Sequence, residues 1–258
     1  MHLRRALAAT TTLLLLSSCT AEPMTPPGAS IPDVDMSGDR VPTAQGDIVI
    51  HPINHATLAL GWLGKTHYVD PVGDAARFEG LPAADVILVT DLHADHLSVE
   101  RLSALVTPDT VIVAPQAVYT QLPAALQAVT RVLANGETTS VAGLRVEAVP
   151  MYNLTPERLG YHEKGRGNGY VLSDTQRRVY IAGDTEDTPE MRALRDIDVA
   201  FVPMNLPYTM TVQQAADAVR AFTPGIVYPY HSRGSDLNEF KRLVGPDGAI
   251  EVRLRAWY

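Results

Sequence analysis

Short apolar runs recur along the chain from about residue 46 to its end, and turns rich in Pro, Gly and Asn separate them. Apolar runs of this length between turn residues predict β-strands. The predicted strands of the first half are residues 46–51, 56–61, 66–70, 85–89 and 111–113, and those of the second half are residues 144–149, 169–172, 179–182 and 199–202. Each half therefore begins with several strands in succession.

Helical patterns alternate with the later strands of each half. A helix is predicted over 98–105, where Ser98 can cap the first turn, and others over 189–194 and 211–222. Thr211 and Gln214 have the spacing of a capping box. Two similar halves of strands followed by helices predict an α/β (α+β) fold, a four-layer αββα sandwich, with residues 41–258 as a single domain.

The N-terminus has the pattern of a secretion signal. Arg4 and Arg5 precede an apolar run over 6–16, which is shorter than the roughly 20 residues of a membrane-spanning helix. The run ends in Leu-Ser-Ser-Cys, which resembles the lipobox of bacterial lipoproteins and implies that Cys19 carries lipid. We therefore expect residues 1–18 to be a lipoprotein signal peptide and the protein to be exported to the bacterial cell envelope, lipid-anchored to a membrane.

Residues 19–40 are rich in Pro, Ser, Gly and Thr and are predicted to form a flexible tether. The net charge is −8, and it becomes −10 once Arg4 and Arg5 are removed with the signal peptide. Such a charge disfavours nucleic acid as a partner and offers no basic patch to an anionic membrane. The expected partners are a small-molecule or lipid-like substrate and, through the N-terminal lipid, the membrane itself. Cys19 is the only cysteine, so no disulfide can form within the chain.

Potential metal ligands are concentrated at the ends of predicted strands. The strand over 85–89 is followed by Asp91, His93, Asp95 and His96, and two later apolar runs end at Asp184 and His231. Imidazole nitrogens and carboxylate oxygens are the groups by which proteins bind first-row divalent metals. Because a rigid sheet holds the loops at its strand ends at fixed distances, these side chains are predicted to meet at one metal site.

Residues 91–96 resemble the His-x-His-x-Asp-His motif of the metallo-β-lactamase superfamily, and in particular its ascorbate-6-phosphate lactonase-like branch. The resemblance runs from about residue 46 to the C-terminus and implies the same αββα fold. It assigns Asp184 as the carboxylate that bridges two metals and His231 as the last histidine. In this family pattern the second metal position consists of Asp95, His96, Asp184 and His231, and all four are present.

The first metal position departs from the family pattern at two places. Asp91 and Asn153 stand where the family has histidines. Asp91 either ligates the metal or orients a ligating imidazole, and the sequence leaves both open. More oxygen in the ligand set shifts the preference from zinc toward manganese or iron, so we expect one or two divalent ions, with zinc favoured and manganese or iron open. The predicted metal ligands are His93, Asp95, His96, Asp184 and His231, with Asp91 as the open case.

The resemblance implies a metal-dependent hydrolase that uses a metal-bound hydroxide on an ester, lactone or phosphodiester substrate. Asp95 and Asp184 are the predicted catalytic residues, since Asp95 would hold the proton of the nucleophile and Asp184 would bridge the metals. The alternative is a catalytically altered metal-binding lipoprotein that acts as a binding or scaffold module.

Several other polar residues are candidates for substrate contact. His162 and Lys164 lie in a glycine-rich loop over 160–169. His162 either replaces the missing imidazole or touches substrate, or else is an exposed loop histidine. Lys164 and Arg166 either bind a phosphate or carboxylate of the substrate or are solvated. His67, within a predicted strand, is expected to be structural. The predicted substrate-binding residues are His55, Asn153, His162, Lys164 and Tyr208.

Overall fold

The computed structural model describes residues 31–245 and 248–258, so the expected signal peptide and Cys19 lie outside the described residues. Within the described part, 14 strands form two sheets of seven, and six α-helices cover them. None of the described helices combines the length and the apolar character that crossing a membrane requires.

The first sheet has its strands in chain order, antiparallel from β1 to β4 and parallel from β4 to β7. The strands are β1 (Asp39–Val41), β2 (Ile48–Asn54), β3 (Thr57–Trp62), β4 (Lys65–Val69), β5 (Val86–Leu88), β6 (Val111–Ala114) and β7 (Thr130–Val132). A 3₁₀ turn, Ala75–Phe78, lies between β4 and β5.

The second sheet repeats this order, antiparallel from β8 to β11 and parallel from β11 to β14. Its strands are β8 (Thr138–Val141), β9 (Leu144–Met151), β10 (Gly167–Ser173), β11 (Arg178–Ile181), β12 (Val199–Pro203), β13 (Ile226–Tyr230) and β14 (Glu251–Val252). A second 3₁₀ turn, Pro156–Arg158, follows β9. The two similar halves predicted from the apolar pattern are thus confirmed.

The helices cover the outer faces of the sheets. They are α1 (Val99–Leu105), α2 (Gln116–Tyr119), α3 (Ala124–Gln127), α4 (Pro189–Arg192), α5 (Val212–Phe222) and α6 (Leu237–Val244). Leu102 of α1 packs in one buried cluster with Ile87 of the first sheet, and Val219 of α5 packs in another with Ala200 of the second. A third cluster lies between the sheets. These three layers of buried contact confirm the αββα sandwich.

The capping residues explain where two helices begin. The Ser98 hydroxyl accepts a hydrogen bond from the backbone N–H of Arg101, and Thr211 and Gln214 form the expected capping box of α5. The apolar pattern did not predict α2, α3, α6 or the short strands β1, β7, β8 and β14. All of these except α6, which has eight residues, are two to four residues long and carry too few turns or alternations for a periodic pattern. Packing against the neighbouring element stabilises them.

One end of the sandwich collects the loops that bear the candidate ligands. Because β4 and β5 are parallel, as are β11, β12 and β13, their carboxyl ends lie at the same edge of each sheet. The chain enters the described region at the other end, where Ile31 donates its backbone N–H to the carbonyl of Gln45 and shares a surface cavity with Leu63 and Gly143.

Candidate metal centre

The strand ends bring together two groups of potential ligands. Within each group, every residue offers one ligand atom, and these atoms all lie within 4.8 Å of one another. One group is the second position as defined from the sequence, and the other is a first-position group that includes His162. The second position consists of Asp95, His96, Asp184 and His231, and the first position consists of Asp91, His93 and His162. Apart from the partly exposed His93 and the exposed Asp95, all of these residues are buried.

Asp184 lies between the two positions. Its Oδ2 is 3.2 Å from Nε2 of His96 and 3.2 Å from Nε2 of His162, and its Oδ1 is 3.2 Å from Nε2 of His231. One carboxylate thus faces imidazoles of both positions. This is the arrangement in which a carboxylate can bridge two ions.

Several buried polar atoms in this cluster have no hydrogen-bond partner among the described residues. They include Nε2 of His96, Nε2 of His162 and Oδ1 of Asp184. Each such atom costs about 1–3 kcal/mol when nothing satisfies it. Divalent ions at the two positions, coordinated by these two nitrogens and this oxygen, would satisfy all three, so the residues present fit zinc, manganese or iron ions.

The charges of the cluster support each other. Burial lowers the pKa of His96, but the carboxylates of Asp184 and Asp70 outweigh it and hold that pKa well above its ordinary value. Burial raises the pKa of Asp184, but His231 and His96 outweigh it and hold the pKa of Asp184 well below its usual range. The pKa of Asp95 is likewise lowered, since hydrogen bonds from His231 and His55 outweigh its burial. The carboxylates are therefore ionised, as metal ligands must be.

Asp70 is a member of the site that the sequence reasoning missed. It follows β4, and its Oδ2 lies 2.8 Å from Nδ1 of His96, while Thr90 donates its backbone N–H and its hydroxyl to the same carboxylate. The available signal was that Asp70 ends a predicted strand, as the ligands do. Its position next to His96 depends on the parallel pairing of β4 with β5, which sequence alone does not give.

The local backbone explains how two of the ligands are aimed. After β5, the backbone N–H of His96 donates to the carbonyl of His93, so one tight turn brings both rings to the same side. Asp184 follows Gly183, whose φ is +66° and where a Cβ would come within 2.4 Å of the sulfur of Met151. Only glycine fits there without displacing Met151, and Gly183 also donates its N–H to the Tyr230 hydroxyl.

The first position is completed by a residue whose role the sequence left open. His162 is 2 % exposed, so the expectation of an exposed loop histidine is wrong. Asn153 does not join the cluster. It donates its amide to the carbonyls of Arg158 and Tyr208, and its Oδ1 lies 3.3 Å from Nδ1 of His162. Asn153 stands where the family pattern has a histidine. Through its contact with Nδ1, it orients the ring of His162, which lies at the first position instead.

Asp91 lies fully buried at the first position. Its Oδ2 is 2.9 Å from Nδ1 of His93 and 4.0 Å from Nε2 of His162. The Arg166 guanidinium donates to both carboxylate oxygens, at 3.2 and 2.9 Å. Burial opposes ionisation of Asp91, but His93 and Arg166 outweigh it and keep its pKa below the usual value. Arg166, for which the sequence left open an anionic substrate group or solvent, thus binds a carboxylate of the protein itself.

His55 lies beside the second position. Its Nε2 is 3.2 Å from Oδ2 of Asp95, its Nδ1 is 2.9 Å from the hydroxyl of Tyr258, and its ring centroid is 3.8 Å from that of His231. The desolvation of the ring lowers its pKa. The predicted proximity of His55 to the site is thus present in the structure, although contact with a substrate stays a prediction.

A cavity of about 340 Å³ opens onto the cluster. It is lined by His93, Asp95, Tyr161, His162, Asp184, Asn205 and Tyr208. The rings of Tyr161 and Tyr208 meet edge to face with centroids 5.1 Å apart. Lys164 is not part of this lining, since its Nζ binds Glu190 at 2.8 Å. A larger cavity of about 600 Å³, next to Asp174 and Arg177, includes no residue of either metal position.

Comparison with known proteins places this geometry in a family. Residues 59–232 match the β-lactamase superfamily domain. A UPF0173 metal-dependent hydrolase of Pyrococcus horikoshii is 30 % identical over 191 residues, which cover 69 % of this chain and 82 % of the relative.

Solved structures agree with this assignment. A crystal structure from Parabacteroides distasonis, named a metal-dependent hydrolase, is 44 % identical, with a TM-score of 0.79 over 85 % of this chain and 98 % of the other. Igni18, a metallo hydrolase of Ignicoccus hospitalis, shares the fold at 22 % identity, with a TM-score of 0.68 over 81 % of this chain and 94 % of the other. The chain therefore belongs to the metallo-β-lactamase superfamily, among the metal-dependent hydrolases of that fold.

Proposed function

We propose that this enzyme hydrolyses an ester, lactone or phosphodiester bond with a water molecule activated between its two metal positions. The observation that carries the proposal is the Asp184 carboxylate, which three imidazoles approach at 3.2 Å from both positions. Divalent ions held there by these imidazoles and by Asp184 would supply hydroxide at neutral pH, because such ions lower the pKa of bound water.

Asp95 is the member of the second position that is open to the cleft. Its side chain is 46 % exposed, whereas those of His96, Asp184 and His231 are at most 3 % exposed. A carboxylate that faces both the ligand cluster and the cleft can hold the proton of the attacking water while its neighbours stay shielded. His55 donates its Nε2–H to Oδ2 of this carboxylate and limits its rotation.

The cleft wall opposite the ligands is aromatic. Tyr161 and Tyr208 line it, and Tyr208 is 45 % exposed, so its ring is available to a substrate. Burying part of an aromatic ring against an apolar group contributes binding free energy without a directional contact. We therefore propose that the scissile bond of the substrate lies next to an apolar group that rests on these rings.

A substrate screen with matched variants tests the proposal. Protein reconstituted with zinc or with manganese is offered p-nitrophenyl esters, simple lactones and bis(p-nitrophenyl) phosphate. At least one class should be hydrolysed, and Asp184→Asn or a chelator should abolish the activity while His51→Ala, outside the cluster, leaves it intact. Metal-loaded protein that hydrolyses none of the three classes would favour the binding or scaffold alternative.

We also propose that the enzyme acts in the cell envelope, held to a membrane by lipid on Cys19. The support is the order of the basic start, the apolar run and the Leu-Ser-Ser-Cys sequence. These residues lie outside those that the structure describes.

A further inference from the structure

The carboxylate of Asp91 introduces a charge that a histidine would not. A histidine ligand is neutral, so an aspartate in its place adds one negative charge to a cluster that already holds the carboxylates of Asp95 and Asp184. Asp91 is fully buried, where an uncompensated charge is costly. Without a bound metal ion, the buried carboxylate therefore requires a compensating cation of the protein nearby.

Arg166 supplies that cation with a fork geometry. Its Nε and Nη2 donate to the two oxygens of Asp91 at 3.2 and 2.9 Å, and Nη2 also donates to the carbonyl of Tyr161 at 2.6 Å. Its side chain is 17 % exposed. A guanidinium keeps its charge at all physiological pH values and matches a carboxylate with two parallel hydrogen bonds.

The loop that carries Arg166 is fastened next to Asp91. The backbone N–H of Asn168 donates to the carbonyl of Thr90, the residue before Asp91. Between them Gly167 packs so closely that a Cβ would lie 3.0 Å from that carbonyl and 2.1 Å from the Met151 methyl group. The ion pair thus follows from backbone contacts between the end of β5 and the start of β10.

The guanidinium leaves the candidate ligand atoms facing one another. It touches the first position at the Asp91 carboxylate and, at 3.4 Å, at Nε2 of His93. The nitrogens near Oδ2 of Asp91 are instead Nδ1 of His93 at 2.9 Å and Nε2 of His162 at 4.0 Å. A carboxylate oxygen has a second lone pair, so Oδ2 can accept from Arg166 and still bind an ion.

We infer that Asp91 and Arg166 together replace the neutral imidazole of the family motif, with the carboxylate as a ligand of the first metal and the guanidinium as its fixed counter-charge. The pair has the net charge of a neutral histidine. The first position therefore keeps its ion, and the enzyme binds two. The inference rests on the metal requirement of the proposed function.

A double substitution tests the pairing by counting metal. Each protein is equilibrated with zinc ions, desalted, and its zinc content measured by plasma mass spectrometry. The wild-type protein should hold two equivalents. Asp91→His alone leaves the Arg166 guanidinium without its counter-charge, beside a neutral ligand. The affinity for the first zinc should therefore fall by about 10-fold or more. Asp91→His with Arg166→Met restores a neutral position and should regain two equivalents.

Three results would overturn the inference. The first is one zinc in the wild type and two in Arg166→Met, which would mean that the guanidinium occupies the place of the ion. The second is an undiminished zinc content in Asp91→His alone, and the third is a folded double variant that does not regain the second zinc. Arg177→Met, at the other end of the sandwich, controls for loss of an arginine, and melting temperatures establish folding.

An isosteric variant covers the case in which Asp91→His does not fold. Asp91→Asn preserves the shape and should lose the first zinc while keeping the second. Two equivalents in folded Asp91→Asn would contradict a ligand role for Asp91. Because zinc content is read without substrate, failure to find a hydrolysed bond leaves this result unaffected, and the two proposals can fail separately.

Discussion

Oδ2 of Asp70 lies 2.8 Å from Nδ1 of His96, and neither side chain is exposed to solvent. The Nδ1–H of His96 donates to this carboxylate, which leaves Nε2 of the same ring to face Asp184. Asp70 is in turn held by two hydrogen bonds from Thr90. The strand end of β4 therefore fixes the orientation of a ligand that is carried by the loop after β5.

Asp70→Ala should weaken metal binding about 10- to 100-fold, the usual effect of removing a residue that orients a ligating histidine. The affinity is measured by competition with a chromophoric zinc chelator. Asp74→Ala removes an exposed aspartate outside the cluster and should leave the affinity unchanged. Equal affinities for the Asp70 variant and the wild type would show that the hydrogen bond is not needed to aim the ring.

His96→Ala and His231→Ala should each remove the ion of the second position and the hydrolytic activity together. A site of about four protein ligands that loses one holds its ion too weakly to survive desalting. Elemental analysis of the purified variants measures this, with His51→Ala as a matched histidine control. Full metal retention by both variants would refute the assignment of the second position.

His67 should make the fold sensitive to mild acid. It is completely buried in β4, neither ring nitrogen has a hydrogen-bond partner among the described residues, and burial lowers its pKa to about 4 from the ordinary 6.5. Below pH 6.5 the unfolded chain binds a proton that the folded chain refuses, so the free energy of unfolding falls until about pH 4. Above pH 6.5 the ring of His67 is neutral in both the folded and the unfolded chain, so it makes no further pH-dependent contribution to the free energy of unfolding.

Between pH 7 and pH 5 this effect amounts to about 2 kcal/mol. His67→Leu should therefore lose about 2 kcal/mol less stability than the wild type over that interval, as measured by urea unfolding at the two pH values. His51→Leu, at a partly exposed site, should behave as the wild type does. A pH dependence that is the same in the His67 variant and the wild type would contradict the prediction.

Tyr208→Ala should raise KM for substrates with an apolar group next to the scissile bond and leave the metal content unchanged. Its ring lines the cleft but lies in neither metal position. Steady-state kinetics on a series of p-nitrophenyl esters of increasing acyl length measure the effect, which should grow with chain length. A variant with the same KM as wild type throughout the series would remove this ring from the substrate site.

Cys19→Ala should abolish lipid attachment and move the protein from the membrane to the soluble fraction. A cleaved lipoprotein signal leaves the cysteine as the acylated N-terminus, and more than one acyl chain is needed for stable anchoring. Intact-mass analysis of membrane-extracted protein reads the modification directly. An unmodified mass for residues 1–258, or cleavage elsewhere without lipid, would contradict the lipoprotein proposal.

The ligands of the second position could be located from the sequence because each lies in a loop after an apolar run, and the resemblance to the family motif assigned them to one position. A strand end can be read from the pattern of one segment, and parallel strands place their ends together without further information. The same logic reached His93 and Asp91. It also gave the two-sheet architecture, since both halves repeat the same order of elements.

The residues that escaped the sequence analysis depend on contacts between distant segments. Asp70 reaches His96 only through the register of β4 on β5, and Arg166 reaches Asp91 only because the start of β10 is hydrogen-bonded to Thr90. His162 could be named but not placed, because a loop histidine carries no periodic signal. Its ring contacts Asn153, which is held in turn by Arg158 of the same loop and by Tyr208 of a distant one.

The described chain begins beside Leu63 and Gly143, at the end of the sandwich away from the metal centre. If Cys19 is anchored in lipid, the attachment lies on the side of the domain opposite the cleft, which leaves the cleft open to the aqueous compartment. Substrates would then arrive by diffusion through water rather than by lateral movement within the bilayer. Soluble molecules of the envelope space, rather than phospholipids of the anchoring membrane, would then be the compounds that reach the cleft.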